Sequence, residues 1–267
     1  MEGADVHLAQ KQPGKRPPAY SMRALGKKNL PATIQLGGVT WHHVRTHKHD
    51  FWAVTGFYEN DRGERAVLKM GRTEPFAGCP LEFIGRWLCR REMRFYRRLG
   101  DLPNVPAVLG QVGPTGFLHA FVPGEPLSKD RPVPDGFFDR LRDLLAELHR
   151  RRIAYVDANK PENILLGADG LPHLIDFQIS ADLIEWGDNR INRWWLRRLM
   201  RADIYHVLKH KKRLRPDELT EEERRAVERR SVMIRIHRIV TMPYKRIRRT
   251  TFKRLRESGR LLPEGSK

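Results

Sequence analysis

Across its 267 residues the sequence has no apolar run near the length a membrane-spanning helix needs, about 18 residues. The opening stretch MEGADVHLAQKQPGKRPPAYSM lacks an apolar core and does not read as a secretory signal. Cysteine is scarce: Cys79 and Cys89 cannot make a disulfide framework, and two ordinary thiols in a reducing cytoplasm are expected. No internal repeat is present. With 40% hydrophobic and 31% charged residues the chain is neither collagen-like nor low-complexity, and wholesale disorder is disfavoured. The length suits one two-lobed domain or two small ones.

Acidic residues are scarce only toward the C-terminus. Residues 1–30 carry six Lys/Arg and two acids, residues 31–187 twenty of each, and residues 188–267 twenty-five basic and ten acidic side chains. The local charges are therefore +4, 0 and +15, which sum to the net +19. Such a field favours polyanions: anionic lipid headgroups, nucleic acid or phosphorylated substrates. A solvated helical surface would carry the same charge, so charge alone does not choose.

Residues 1–30, rich in Pro, Gly and Lys, read as a mobile arm. Strands are expected over Ala32–Val44, Phe51–Tyr58 and Arg65–Met70, the last two joined by the turn Asn60-Asp61-Arg62-Gly63. Residues 71–80 form a connector. Leu81–Leu99 has the spacing of a helix, through Ile84, Leu88, Phe95 and Leu99. Short strands follow near Ala107–Gln111 and Gly116–Val122, then the turn Pro123-Gly124-Glu125-Pro126. A second amphipathic helix is expected from about Asp135 to Arg151, with Phe138, Leu141, Leu144, Leu145 and Leu148 on one face. A hairpin is expected within 163–177, and basic helix beyond 182. The order predicts an α+β protein with a small sheet lobe and a larger helical lobe.

The informative stretch is Tyr155-Val156-Asp157-Ala158-Asn159-Lys160-Pro161-Glu162-Asn163, followed across the hairpin by Ile175-Asp176-Phe177-Gln178. Phosphoryl transfer from a nucleotide needs a carboxylate to orient and deprotonate the acceptor hydroxyl. It also needs an Asn oxygen and a second carboxylate to hold Mg²⁺ against the phosphates. In type, order and context these residues resemble the catalytic loop and metal motif of protein-kinase-like phosphotransferases. The compact atypical branch is the nearest in character: the lipopolysaccharide-core sugar kinases (Kdo and heptose kinases) and the RIO-type kinases. The resemblance spans roughly residues 40–210 and implies a bilobal kinase fold using ATP and Mg²⁺. The N-lobe would take residues 31–122 and a reduced C-lobe 123–215, with a basic helical extension over 216–267.

The resemblance implies a role for each residue. Asp157 would be the base, Lys160 would face the transferred phosphate, and Asn163 and Asp176 would be the metal ligands. Ala66-Val67-Leu68-Lys69 matches the strand that carries the phosphate-anchoring lysine, with Lys69 in that place. Its partner is sought on the next helix. Glu92 lies in the apolar stripe of Leu88, Phe95 and Leu99, where a carboxylate needs a partner. Glu82, in the first turn, more simply complements the helix dipole. Asp203 resembles the structural Asp that opens a helix beneath the catalytic loop and would accept hydrogen bonds from the loop backbone, or is a plain helix-start Asp. Phe121–Leu127 resembles the hinge that meets an adenine edge, or is a simple turn.

Four features depart from the pattern. No glycine-rich loop joins the first two strands; the link is Arg45–Asp50, where Lys48 or the histidines would act instead. Asp157 precedes Asn163 by six residues rather than five, and Tyr155 replaces the usual His. Gln178 stands where a Gly follows Asp-Phe, which should stiffen the metal loop. Only 26 residues separate Asp176 from Asp203, so the peptide-docking segment is minimal and a small or sugar-like acceptor is favoured. The expected function is a kinase acting on the hydroxyl of a lipopolysaccharide-core sugar or similar glycolipid. The alternatives are a RIO-like serine/threonine protein kinase and a catalytically dead scaffold. A cytoplasmic protein is expected, touching the inner membrane face or RNA through its basic region. Trp194 and Trp195 beside arginines, and the stripes Tyr244–Arg249 and Lys253–Arg256, suit either partner.

Overall fold

The computed structural model describes residues 20–228, apart from residue 77. An antiparallel sheet comprises β1 (Thr33–Leu36), β2 (Val39–His49), β3 (Ala53–Asn60), β4 (Arg65–Gly71), β5 (Val108–Val112) and β6 (Gly116–Ala120), in the order β1-β2-β3-β4-β6-β5. Helix α1 (Glu82–Arg98) is inserted between β4 and β5. Beyond it come β7 (Gly124–Pro126), α2 (Phe137–Arg150), β8 (Ile153–Ala154), β9 (Ile164–Gly167), β10 (Pro172–Leu174), β11 (Ala181–Asp182), α3 (Leu183–Trp186) and α4 (Arg190–Leu214). The result is the expected α+β arrangement of a sheet lobe and a helical lobe.

Three sequence expectations are corrected. The single strand expected over Ala32–Val44 is a hairpin, because Gly37 and Gly38 both adopt positive φ (59° and 76°), the geometry of a tight two-residue turn. The link expected at Arg45–Asp50 is strand as far as His49; two register shifts hide its alternation, and the turn is Asp50-Phe51-Trp52. Residues 20–30 are no arm: Ala24, Leu25 and Leu30 are buried, the two leucines against Val54, Tyr58, Leu68 and Leu118 on the outer face of the sheet. Residues 1–19 of that arm lie outside the described residues, as do the basic stripes at Tyr244–Arg249 and Lys253–Arg256.

Helix α1 reaches β4 through two glycines. A Cβ on Gly85 would lie 2.1 Å from the Arg72 carbonyl oxygen, and one on Gly71 would lie 2.7 Å from that of Gly85. Backbone therefore meets backbone, which only glycine permits. Glu92 lies two helical turns beyond Gly85, on the same face. The expected apolar stripe of α2 is buried in full. It joins Phe95, Tyr96, Phe117, Tyr155 and Phe177 in one core that crosses between the lobes.

Candidate active site

Cross-strand register builds the roof. Directly opposed residues of antiparallel strands share a face. Lys48 opposes Thr55, Thr55 opposes Lys69, and Lys69 opposes Phe117. The neighbouring row holds Arg45, Phe57, Val67 and His119. Lys69 reaches down to the helical lobe, so both rows face the cleft. Lys48 stands two strands from Lys69, about 10 Å away by strand spacing, and its ammonium is 3.0 Å from Asp50. The Arg45 guanidinium lies 4.6 Å from the Phe57 ring centre. Phe57 packs edge-on against Phe121 at 5.7 Å. The residues expected to form a hinge continue as β7, which pairs with β9 of the helical lobe.

Lys69 is the junction of the two lobes. Its ammonium lies 2.5 Å from Glu92 and 3.0 Å from Asp176. Burial works against its charge, but the two carboxylates outweigh burial and hold Lys69 above the ordinary lysine range. Burial pushes Glu92 up to about 7, with Lys69 pulling the other way. Asp176 is partly buried, yet Lys69 keeps its carboxyl below the usual range. Glu82 instead bonds Arg86 on the exposed side of α1.

The floor is the segment Tyr155–Asn163. Oδ2 of Asp157 accepts from Lys160 Nζ at 2.6 Å and from Asn163 Nδ2 at 2.8 Å. Asp157 and Asn163 are buried, while Lys160 is exposed enough to meet solvent. Val156 has φ of 70°, a strained value for a β-branched residue. Asp203 holds it there, accepting the Tyr155 and Val156 amides at 2.9 and 2.8 Å and contacting His149 at 3.1 Å. Asp203 lies in the middle of α4, which corrects the helix-start position, but it accepts from the loop backbone as the resemblance implied. Tyr155, at the position of the usual His, donates its hydroxyl to the carbonyls of Ile175 and Asn163. Strain appears at Asp176 itself, with φ of 63°, rather than at Gln178. The Asp176 amide donates to the Tyr96 hydroxyl at 2.9 Å, and Phe177 sits between the Tyr96 and Tyr155 rings.

Several contributors were not read from the sequence. Arg91, Arg94 and Arg98, one stripe of α1, clamp the segment after Asp176. Arg91 donates to the carbonyls of Gln178 and Ser180 and to Glu185; Arg94 lies 3.4 Å from both Asp182 and Glu185; Arg98 pairs with Asp182. Their i, i+3, i+7 spacing was the available signal. Arg72 is fully buried and donates to the carbonyls of Phe51 at 2.9 Å, Pro75 at 3.2 Å and Arg23 at 3.4 Å. It thereby fixes the glycine-free turn above the cleft. His119 is buried, stacks on Tyr96, and burial drops its pKa to about 4. A cavity of about 350 Å³ lies elsewhere, between α2, α4 and helical residues 221–228.

The donor set suits a hard cation. Among the described residues no group of three or more His, Cys, Asp or Glu side chains is placed to hold a metal alone. Asn163 and Asp176 offer an amide oxygen and a carboxylate. Mg²⁺ accepts such a pair when phosphate and water oxygens complete its shell.

No family model matches the sequence, and no curated protein does. Among solved structures, Rio2 kinase from Chaetomium thermophilum in an ADP/Mg²⁺-phosphoaspartate complex is similar, with a TM-score of 0.50 and 17% identity, covering 67% of this chain and 57% of that one. A second structure of Rio2 kinase from that organism gives 0.50 and 18%, covering 64% and 56%. The chain thus spans little more than half the length of these structures. At such identities the likeness is one of fold, and the fold is bilobal and protein-kinase-like.

Proposed function

We propose that the chain is an ATP- and Mg²⁺-dependent phosphotransferase acting on a hydroxyl, with a lipopolysaccharide-core sugar or similar glycolipid as acceptor. The observation that carries it is the Lys69 ammonium bridging Glu92 and Asp176, the latter 107 residues away in sequence. Strand, helix and metal motif meet there in one charge cluster. In this reading Lys69 and Lys48 hold phosphate oxygens. Asp157, oriented by Lys160 and Asn163, accepts the proton of the acceptor hydroxyl. Lys160 offers a positive charge beside the same carboxylate. Mg²⁺, held by Asn163 and Asp176, would neutralise charge on the phosphates.

The short path after Asp176 supports a small acceptor. Residues 177–189 hold only β11 and α3 before α4 begins, and α1 clamps that path. An extended peptide has little platform there. The likeness to Rio2 is one of fold and does not favour a protein acceptor over a sugar.

The test uses γ-labelled ATP and the purified full-length chain with cell extract. Label in the lipid or sugar fraction is expected; label in protein would favour the RIO-like alternative. The scaffold alternative predicts no ATP turnover above an Asp176→Ala control. Asp157→Asn should lose at least about a hundredfold in rate, within the range for general-base groups, while ATP binding changes little. A loss of only severalfold would remove Asp157 from the role.

A further inference from the structure

Residues 190–202 contain five arginines and no acid. In α4 they split by helical period. Leu196, Leu199 and Met200 pack on Ala154, Ala181 and Leu183. The opposite stripe, Ile191, Trp194 and Trp195, points outward, and the arginines border it along one side. Ile191 is 70% exposed, Trp194 50% and Trp195 48%; on the adjoining α3, Ile184 is 65% exposed. The tryptophans therefore do not pack into the core of the helical lobe. Their rings touch each other edge-on at 4.9 Å.

We propose that this face of α3 and the first turns of α4 docks on an anionic lipid bilayer. Trp rings lie at headgroup depth, isoleucines enter the acyl boundary, and arginines meet lipid phosphates. The chemistry selects this occupant. RNA would reward the arginines and could stack on the indoles, but Ile184 and Ile191, the most exposed members, offer nothing to bases or phosphodiesters. A second copy of the chain would bring five more arginines against the first five, which like-charge repulsion opposes. An apolar stripe bordered mainly by arginines, of which Arg193 is paired with Asp188, fits a surface that is apolar beneath and anionic above.

Docking also orients the cleft. Ile179, also exposed, follows Asp176 by three residues, and β11 leads from it into α3 while pairing with β8 ahead of Asp157. Short stretches of chain thus connect Asp176 and Asp157 to the docked face. That the acceptor hydroxyl belongs to a lipid headgroup rests on the phosphotransferase reading; the docking does not.

The test mixes the full-length protein with vesicles of phosphatidylcholine alone or with 30% phosphatidylglycerol, about 0.1 M salt, keeping charge effects within a Debye length of about 10 Å. Sedimentation with the anionic vesicles only is expected. Bromine-labelled acyl chains should quench tryptophan emission, and a Trp194→Ser/Trp195→Ser variant should lose that quenching. Ile184→Ser/Ile191→Ser should weaken partitioning at least tenfold, and Arg197→Gln/Arg198→Gln should weaken it on anionic vesicles. These positions are exposed, so unchanged thermal unfolding checks that each variant folds. Unchanged partitioning of the isoleucine variant would assign any vesicle binding to charge elsewhere and overturn the proposal. RNA-hairpin binding without vesicle binding, or self-association through this face, would do the same. Vesicle binding with no Mg²⁺-dependent stabilisation by ATP would instead reject the phosphotransferase reading and leave the docking face standing.

Discussion

The turn above the cleft and the loop below it are each held by one fully buried charge, with opposite signs. Above, Arg72 gathers carbonyl oxygens from Arg23, Phe51 and Pro75. Below, Asp203 gathers amide protons from Tyr155 and Val156. Both solve one problem. A chain turning at a cleft leaves backbone polar groups without ladder partners, and buried groups of that kind must be satisfied. A cation satisfies acceptors and an anion satisfies donors. The difference lies in what each holds. Asp203 holds a strained β-branched residue next to Asp157, whereas Arg72 holds an unstrained turn and joins it to the N-terminal segment and to the β4–α1 connector.

The largest expected effect breaks the lower arrangement. Asp203→Ala removes a buried anion and leaves its amides unpaired, a loss of about 3–5 kcal/mol. The melting temperature should fall by about 10 °C or more. Asp203→Asn keeps one acceptor and should fold, with turnover falling more than nucleotide affinity. If Asp203→Asn alters affinity alone, the loop is not what Asp203 positions.

Arg72→Met should cost less, about 2–3 kcal/mol, because its orphaned carbonyls lie nearer the surface than the Asp203 amides. Here the nucleotide dissociation constant should rise severalfold while Asp157-dependent turnover at saturating ATP holds. Isothermal titration against wild type reads this directly. An unchanged dissociation constant would show that the turn is not part of the nucleotide cover.

The smallest effect separates roof from floor by pH. His119 titrates near 4 in the fold and near 6.5 in the unfolded chain. Its folded pKa is depressed, so its contribution is complete above about 6.5 and declines as pH falls toward 4. Stability should drop by about 2 kcal/mol between pH 7 and pH 5 on this account. His119→Phe should remove that component in denaturant titrations, leaving the opposite slope from Glu92, whose carboxyl burial raises to about 7. A slope identical to wild type would place the pH dependence elsewhere.

Much of this molecule was legible in sequence. Helical spacing set α1 and α2 close to their observed bounds, because their apolar stripes are long and regular. The segments around Asp157 and Asp176 were legible because their chemistry needs particular residue types at short spacing. Glu92 was legible because an acid inside an apolar stripe demands a partner. The roof was harder. Two register shifts in β2 disguise alternation between His43 and Lys48, and the Gly37-Gly38 hairpin divides what reads as one strand.

The sequence by itself determined which residues carry charge and oxygen donors, and which helix faces are apolar. Those properties are local, written in side-chain type and period. Only the tertiary structure decided that Lys69 meets both Glu92 and Asp176, and that the α1 arginines clamp the segment after Asp176. It alone decided that Arg72 lies inside and Ile191 and Trp194 outside. Each of these depends on which distant backbone supplies a carbonyl, an amide or an apolar wall. Spacing along the chain does not encode that, because a buried charge is stable only where partners far away in sequence converge on it.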